Sequence, residues 1–399
     1  MGEMREIVID GIKTMVDDNY SELVVDGEMI KLISADSHVA EPPNCYIDYI
    51  DPAYRDRAPH VEKQPDGSEA YVVEGSSRPV PIGLVASAGR EPQDLKTKFN
   101  TYAELRPGGW DPKARLEEQD IDGISAEVVY PTVGMLLSDT DDTDLQQASM
   151  WAYNRWLHDE FVAGAPDRLF GVGQTAMRSV SETIDDMQKI KEMGFVSVML
   201  PCHPNTEFDY EDERFDPLWR ASVELDLPIS VHTFAGRKKS SNHGTGFRGT
   251  DSINRHNMVM RENQDIIGML IFSRVFERHP ELRLVCVEAD AGWVPHYVYA
   301  MDRTYTRHRY WKGVANLERL PSEYFYQNVY LTWQNDATAF AFADKMNVER
   351  LLWANDHPHS DATWPNSQPM LQRHIKGLTD YQKRRILNEN VRDLYHLKL

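Results

Sequence analysis

The chain has 399 residues, 41% hydrophobic and 27% charged, which is a globular composition with apolar material for a large core. Its 43 basic and 63 acidic residues leave a net charge of −20, which argues against nucleic acid or an anionic membrane surface as partner. Cys45, Cys202 and Cys286 are too few and too scattered for a disulfide framework or a thiolate zinc site, and no apolar run reaches membrane-spanning length. With no secretory h-region near Met1, the expectation is a cytoplasmic protein.

Taken in order, residues 1–31 show an Ile/Met/Leu pattern broken by Asp17-Asp18-Asn19, which predicts a short helical arm. Leu32 to Ala35 is a short apolar run and predicts the first strand, with Asp36 and His38 at its end. Residues 42–109 lack periodicity and are punctuated by Pro42-Pro43, Pro52, Pro59, Pro65, Pro79, Pro81, Pro92 and Pro107; they read as a lid-like insertion. From Trp110 the pattern is regular. A helix capped by Asp111 runs through Asp120, and strand Ile124 to Tyr130 is stopped by Pro131. A long helix around Leu145 to Ala163, strand Leu169 to Ala176 and helix Ser181 to Met193 follow. Strands are expected again at Phe195 to Leu200, Pro228 to His232, Leu282 to Glu288, Val329 to Trp333 and Leu351 to Asp356. Helices are expected between them at Phe215 to Leu225, Asp265 to Arg278, Trp293 to His308 and Ala337 to Met346, with a last one at Asp380 to His396. Eight short apolar strands alternating with helices predict an α/β fold, a closed (β/α)₈ TIM barrel over residues 32–399 behind the arm 1–31.

In such barrels the chemistry sits at the C-terminal strand ends. Strand one ends in Asp36 and His38, whose i, i+2 spacing puts both side chains on one face of an extended backbone. Strand five ends in His232, strand six in Glu288 and strand eight in Asp356; His203 follows strand four. Ionisable residues directly after core strands are costly unless they pair or coordinate. Asp36, His38, His232 and Asp356 supply two imidazoles and two carboxylates, a set suited to zinc, manganese or ferrous iron.

Three stretches carry a family resemblance: Ser34-Ala35-Asp36-Ser37-His38-Val39-Ala40-Glu41-Pro42, Pro228-Ile229-Ser230-Val231-His232, and Leu352-Trp353-Ala354-Asn355-Asp356-His357-Pro358-His359. Asp122-Gly123, Val129-Tyr130-Pro131-Thr132 and Asn154-Arg155-Trp156-Leu157 add to it. On these the chain resembles the amidohydrolase superfamily, in the branch with the aminocarboxymuconate-semialdehyde and resorcylate-type decarboxylases, over residues 32 to 395. The resemblance implies a histidine acid/base at the end of strand six, where this chain has Glu288. Glu288 is therefore read as a general base or a further ligand, and His296 on the following helix as a compensating catalytic residue.

Trp110, Tyr130, Phe234, Trp333 and Trp364 suggest an apolar or cyclic substrate, and Arg237 opens a basic run suited to a carboxylate or a coenzyme A thioester. The expectation is a metal-dependent hydrolase that attacks an ester, thioester, lactone or amide carbonyl with a metal-bound hydroxide. One ion is expected, with room for a second. Asp356 would serve both as ligand and in catalysis. The alternative is a non-oxidative decarboxylase or hydratase of a cyclic or aromatic acid. A homo-oligomer, a dimer, is expected from the apolar residues Ile7, Ile9, Ile12 and Met15 of the arm.

Overall fold

Eight strands lie in sequential order in one sheet: β1 (Leu32–His38), β2 (Ile124–Tyr130), β3 (Leu169–Gln174), β4 (Ser197–Met199), β5 (Ile229–His232), β6 (Leu284–Val287), β7 (Val329–Trp333) and β8 (Leu351–Trp353). They belong to a computed structural model, which describes residues 4–9, 12–17, 23–76, 79–83, 85–95, 100–235, 257, 260–314 and 316–399. Every neighbouring pair is parallel. The connections carry α1 (Pro112–Asp122), α2 (Thr143–Trp156), α3 (Val180–Glu192), α4 (Asp216–Glu224), α5 (Arg261–Phe272), α6 (Val294–Lys312) and α7 (Ala337–Ala341). Strands such as β6, Leu-Val-Cys-Val with all four residues buried, read as unbroken apolar runs because helices cover one face and the barrel interior fills the other. The expected (β/α)₈ barrel is therefore present.

The ring closes differently from the rest of the sheet. β8 and β1 are not ladder neighbours. They meet through two backbone bonds beyond the end of β8, His38 N to His357 O at 2.7 Å and Asp356 N to Asp36 O at 3.0 Å. Side chains reinforce the seam: Asn355 N donates to Ser34 Oγ at 2.9 Å, and Ser37 Oγ donates to Asn355 Oδ1 at 2.9 Å. A register shift in β1 between Ser34 and Ser37 inserts one extra residue against β2, a bulge of the kind that re-aims side chains near active sites.

Two expectations change. The arm is not helical: Met4–Ile9 pairs antiparallel with Ile12–Asp17, and Val24–Val25 with Glu28–Met29. β-branched residues make up half of each longer run, and Asp10-Gly11 between them is a strong hairpin signal. Ile7, one of the residues expected to need a second subunit, is buried against the chain's own core. The insertion 42–109 is more ordered than its Pro and Gly content suggests. It holds a three-stranded antiparallel sheet, His60–Lys63, Glu69–Val72 and Val80–Pro81. Ser87 N and Ala88 N bond Pro358 O at 2.9 and 3.0 Å, and Ala40 N bonds Gly109 O at 2.8 Å, so the insertion is tied to the rim beside β1 and β8.

Candidate metal centre

The four residues picked at the strand ends converge. His38 Nε2 lies 3.2 Å from Asp36 Oδ1, 3.4 Å from Asp356 Oδ1 and 3.2 Å from His232 Nε2. His232 Nε2 lies 3.6 Å from Asp36 Oδ1, and the side chains of all four are fully buried. Each imidazole is held from behind. His38 Nδ1 donates to Pro131 O at 2.8 Å, and His232 Nδ1 donates to Thr233 O at 2.8 Å. A carbonyl only accepts, so each Nδ1 carries a proton and each Nε2 is turned to the shared point, where it would serve as the ligand atom.

Electron-rich atoms crowd that point. Asp36 Oδ1 and Asp356 Oδ1 are buried against the imidazoles of His38, His232 and His359, at 3.0–3.6 Å. Carboxylate oxygens and ring nitrogens gathered this closely out of water are costly to hold without positive charge among them. The donor set and its geometry fit a divalent metal ion. A second group, His38, Asp356 and His359, shares two of these residues and overlaps the first rather than forming a separate site.

The electrostatics follow from the crowding. Burial alone would raise the Asp36 carboxyl, but hydrogen bonds and charge from His232 and His38 hold it below the ordinary range. Burial and the neighbouring His359 depress His38 to about 3. Burial also works against a proton on His232, yet Asp36 and then Glu288 overcome it and push His232 up to about 9. Burial, then the charge of Asp36, raises Asp356 well above a normal aspartate.

Glu288 stands on the flank. Its Oε2 accepts from Thr233 Oγ1 at 2.6 Å and lies 3.8 Å from His232 Nδ1, the ring edge turned away from the shared point. Oε2 thus faces the far edge of the His232 ring, and Glu288 belongs to neither group of clustered ligand atoms among the described residues. Glu288 N donates to Thr332 Oγ1 at 2.9 Å, and that hydroxyl reaches Asp36 Oδ2 at 3.4 Å. Glu288 and Asp356 both adopt left-handed backbone, φ 52° and 53°. Such turns are uncommon for residues other than glycine and mark sites where a side chain is forced into place.

The other expected residues are spread out. Tyr130 lies beneath the centre, ring centroid 5.5 Å from that of His232, with its hydroxyl 3.0 Å from Ser230 Oγ. Trp110 is half-buried at the rim, its ring 5.4 Å from that of Tyr102. Phe234 is partly exposed just past β5, with φ 65°. His203 is exposed and faces Asp209 at 3.8 Å. Trp333 does not face the mouth. Strand alternation points Thr332 at Asp36 and therefore turns Trp333 outward onto Phe340 of α7. Trp364 is likewise a wall residue, donating to Glu118 O at 2.9 Å under the guanidinium of Arg106. His296 is exposed in the first turn of α6, and Arg237 lies outside the described residues.

His359 was not singled out from sequence. Its ring stacks on His38 at 4.0 Å, its Nδ1 lies 3.0 Å from Asp356 Oδ1, and its Nε2 lies 2.7 Å from Thr132 Oγ1. Thr132 Oγ1 spends its own proton on Val39 O at 2.6 Å, so His359 Nε2 is the donor to it. A further proton must then lie between His359 Nδ1 and Asp356. Glu41 was also missed: its buried carboxylate accepts from the backbone N–H groups of Thr132, Val133 and Gly134 at 3.0–3.1 Å and fixes the turn that presents Thr132. Both residues sit inside the motif stretches, but only the turn geometry reveals their partners.

The profile of the Amidohydrolase family matches residues 38–397. Among curated proteins the chain is similar to Decarboxylase orsB of Emericella nidulans, 24% identical over 179 residues, which is 43% of this chain and 52% of the relative. The chain spans about half the length of the curated relatives it matches. Among solved structures it is similar to an amidohydrolase from Mycobacterium avium subsp. paratuberculosis, with TM-score 0.73 and 20% identity, covering 92% of this chain and 99% of the other. It is also similar to 5-carboxyvanillate decarboxylase from Novosphingobium aromaticivorans, solved with manganese and 4-hydroxy-3-methoxy-5-nitrobenzoic acid. There the TM-score is 0.66 and the identity 18%, covering 94% and 99%.

Proposed function

The chain belongs to the Amidohydrolase family, and from that premise we propose that it is a divalent-metal-dependent decarboxylase of a cyclic or aromatic acid. The observation that carries the reading is the convergence of His38 Nε2, His232 Nε2, Asp36 Oδ1 and Asp356 Oδ1, with contacts of 3.2–3.6 Å, at the C-terminal mouth of the barrel. The names of the relatives favour carbon–carbon lyase chemistry over the hydrolysis expected first, and manganese is the metal named with one of them.

When bound, a divalent ion supplies positive charge that orients the acid's oxygens and draws off negative charge as the carbon–carbon bond breaks. Asp36, His38, His232 and Asp356 would hold it, with the carbonyls of Pro131 and Thr233 locking the two rings. Glu288 is the residue we assign to proton delivery. It flanks the centre, is partly open to the mouth, and is aimed by Thr233 Oγ1. The bond to the carboxylate carbon breaks, its electron pair stays on the substrate carbon, and carbon dioxide leaves. Glu288 gives its O–H proton to that carbon and is reprotonated from water. Tyr130 and Ser230 close the floor.

Manganese-loaded protein should release carbon dioxide from at least one of 5-carboxyvanillate and 2,6-dihydroxybenzoate. Glu288→Gln should keep its metal and lose on the order of 10² to 10⁴ in rate. Hydrolysis is the second reading, favoured by a carboxylate at the end of β6 where the decarboxylase resemblance implies a histidine. Consumption of ester or lactone substrates with no carbon dioxide from any acid would establish it instead.

A further inference from the structure

We propose, resting on the metal-centre reading above, that Arg115 is a positioning residue for the metal ligands: it staples the seam between β8 and β1 and so fixes Asp356 against Asp36 and His38. Its side chain rises from α1 and is wholly buried. Nε donates to Glu127 Oε2 of β2 at 2.6 Å, Nη1 to Gly108 O at 2.9 Å, and Nη2 to His357 O at 3.0 Å. That last carbonyl is the one that also accepts from His38 N at 2.7 Å. One residue earlier, Asp356 N bonds Asp36 O at 3.0 Å. The guanidinium therefore ends on the atom that joins two ligand-bearing segments.

The location matters because ladder pairing joins every other pair of neighbouring strands and is missing between β8 and β1. There two backbone bonds, His38 N to His357 O and Asp356 N to Asp36 O, stand in place of a ladder. Ser34, Ser37 and Asn355 brace the seam by side-chain bonds, and Arg115 braces it from α1. Gly108 belongs to the same device. A Cβ at Gly108 would collide with the Glu118 carboxylate, which would have to move to admit a larger residue. Glu127 needs only a positive charge and would accept lysine. Three acceptors in three directions need the planar fork of arginine.

The test titrates metal-stripped wild type, Arg115→Lys and Glu127→Gln with manganese(II), reading free ion by electron paramagnetic resonance and stability by thermal melting. Wild type should bind the ion. Arg115→Lys should keep native circular dichroism and weaken manganese binding by roughly 10- to 100-fold, the usual cost of losing a group that orients ligands. Glu127→Gln breaks the ion pair but leaves both carbonyl bonds, so it should melt lower and still bind manganese with about wild-type affinity. Wild-type affinity in Arg115→Lys, or equal weakening in both variants, would overturn the proposal. If Arg115→Lys does not fold, Glu127→Gln decides alone: retained affinity supports the proposal, and affinity lost in step with melting temperature refutes it. A wild type that binds no manganese would overturn the metal reading itself, and this proposal with it.

Discussion

His232 shows at the scale of one residue how the site is poised. Asp36 and Glu288 favour a proton on its ring, yet a ligand must present a bare Nε2. Metal uptake should therefore expel protons. His232 is held at about 9, so below that pH the ion must displace its proton, and affinity should rise with pH up to that value and then level. Manganese added to stripped protein in weak buffer with an indicator should release at least one proton per ion at neutral pH. Zero release would contradict the assigned ligand set. The ligands themselves were legible in sequence because a carboxylate or imidazole directly after a buried apolar run has few inexpensive fates. His359 was not. It reaches Asp356 only because Asp356 takes a left-handed turn, which brings His359 N back to Asp356 O at 2.9 Å, and no glycine marks that turn.

Among the elements, α1 couples the barrel wall to the loop after β8. Asp122 at its C-terminal end is buried and accepts from Ser367 N at 2.9 Å. Burial pushes its carboxyl up to about 7, against the opposing bonds from Ser367. The unfolded chain holds this group near 3.8, so between about pH 4 and 7 the folded protein binds more protons than the unfolded one. Stability should fall as pH rises through that window and the loss should be complete above it. Asp122→Asn should melt with a shallower decline from pH 5 to 8 than wild type; parallel curves would show that Asp122 is not the source. The strands were readable as apolar runs bounded by Pro and polar residues, which fits β2 and β7 end to end. The arm was misread because Ile and Met spacing was weighed above β-branching and the Asp10-Gly11 pair. Trp333 was misplaced because the period of two was not carried from Thr332.

Over the whole molecule, metal and fold should be linked, since the four ligands come from β1, the end of β5 and the loop after β8, which meet only in the closed barrel. At a free ion concentration 100 times its Kd, binding contributes about 2.7 kcal/mol to stability. The melting temperature of stripped wild type should rise by several degrees on adding manganese, while His232→Ala should not respond. The most direct measurement follows carbon dioxide release from 5-carboxyvanillate or 2,6-dihydroxybenzoate while stripped protein is titrated with manganese, in wild type and His232→Ala side by side. Wild type should go from no release to a plateau as the site fills, and His232→Ala should stay flat. Release that is equal without metal, or equal in the variant, would contradict a decarboxylase built on Asp36, His38, His232 and Asp356.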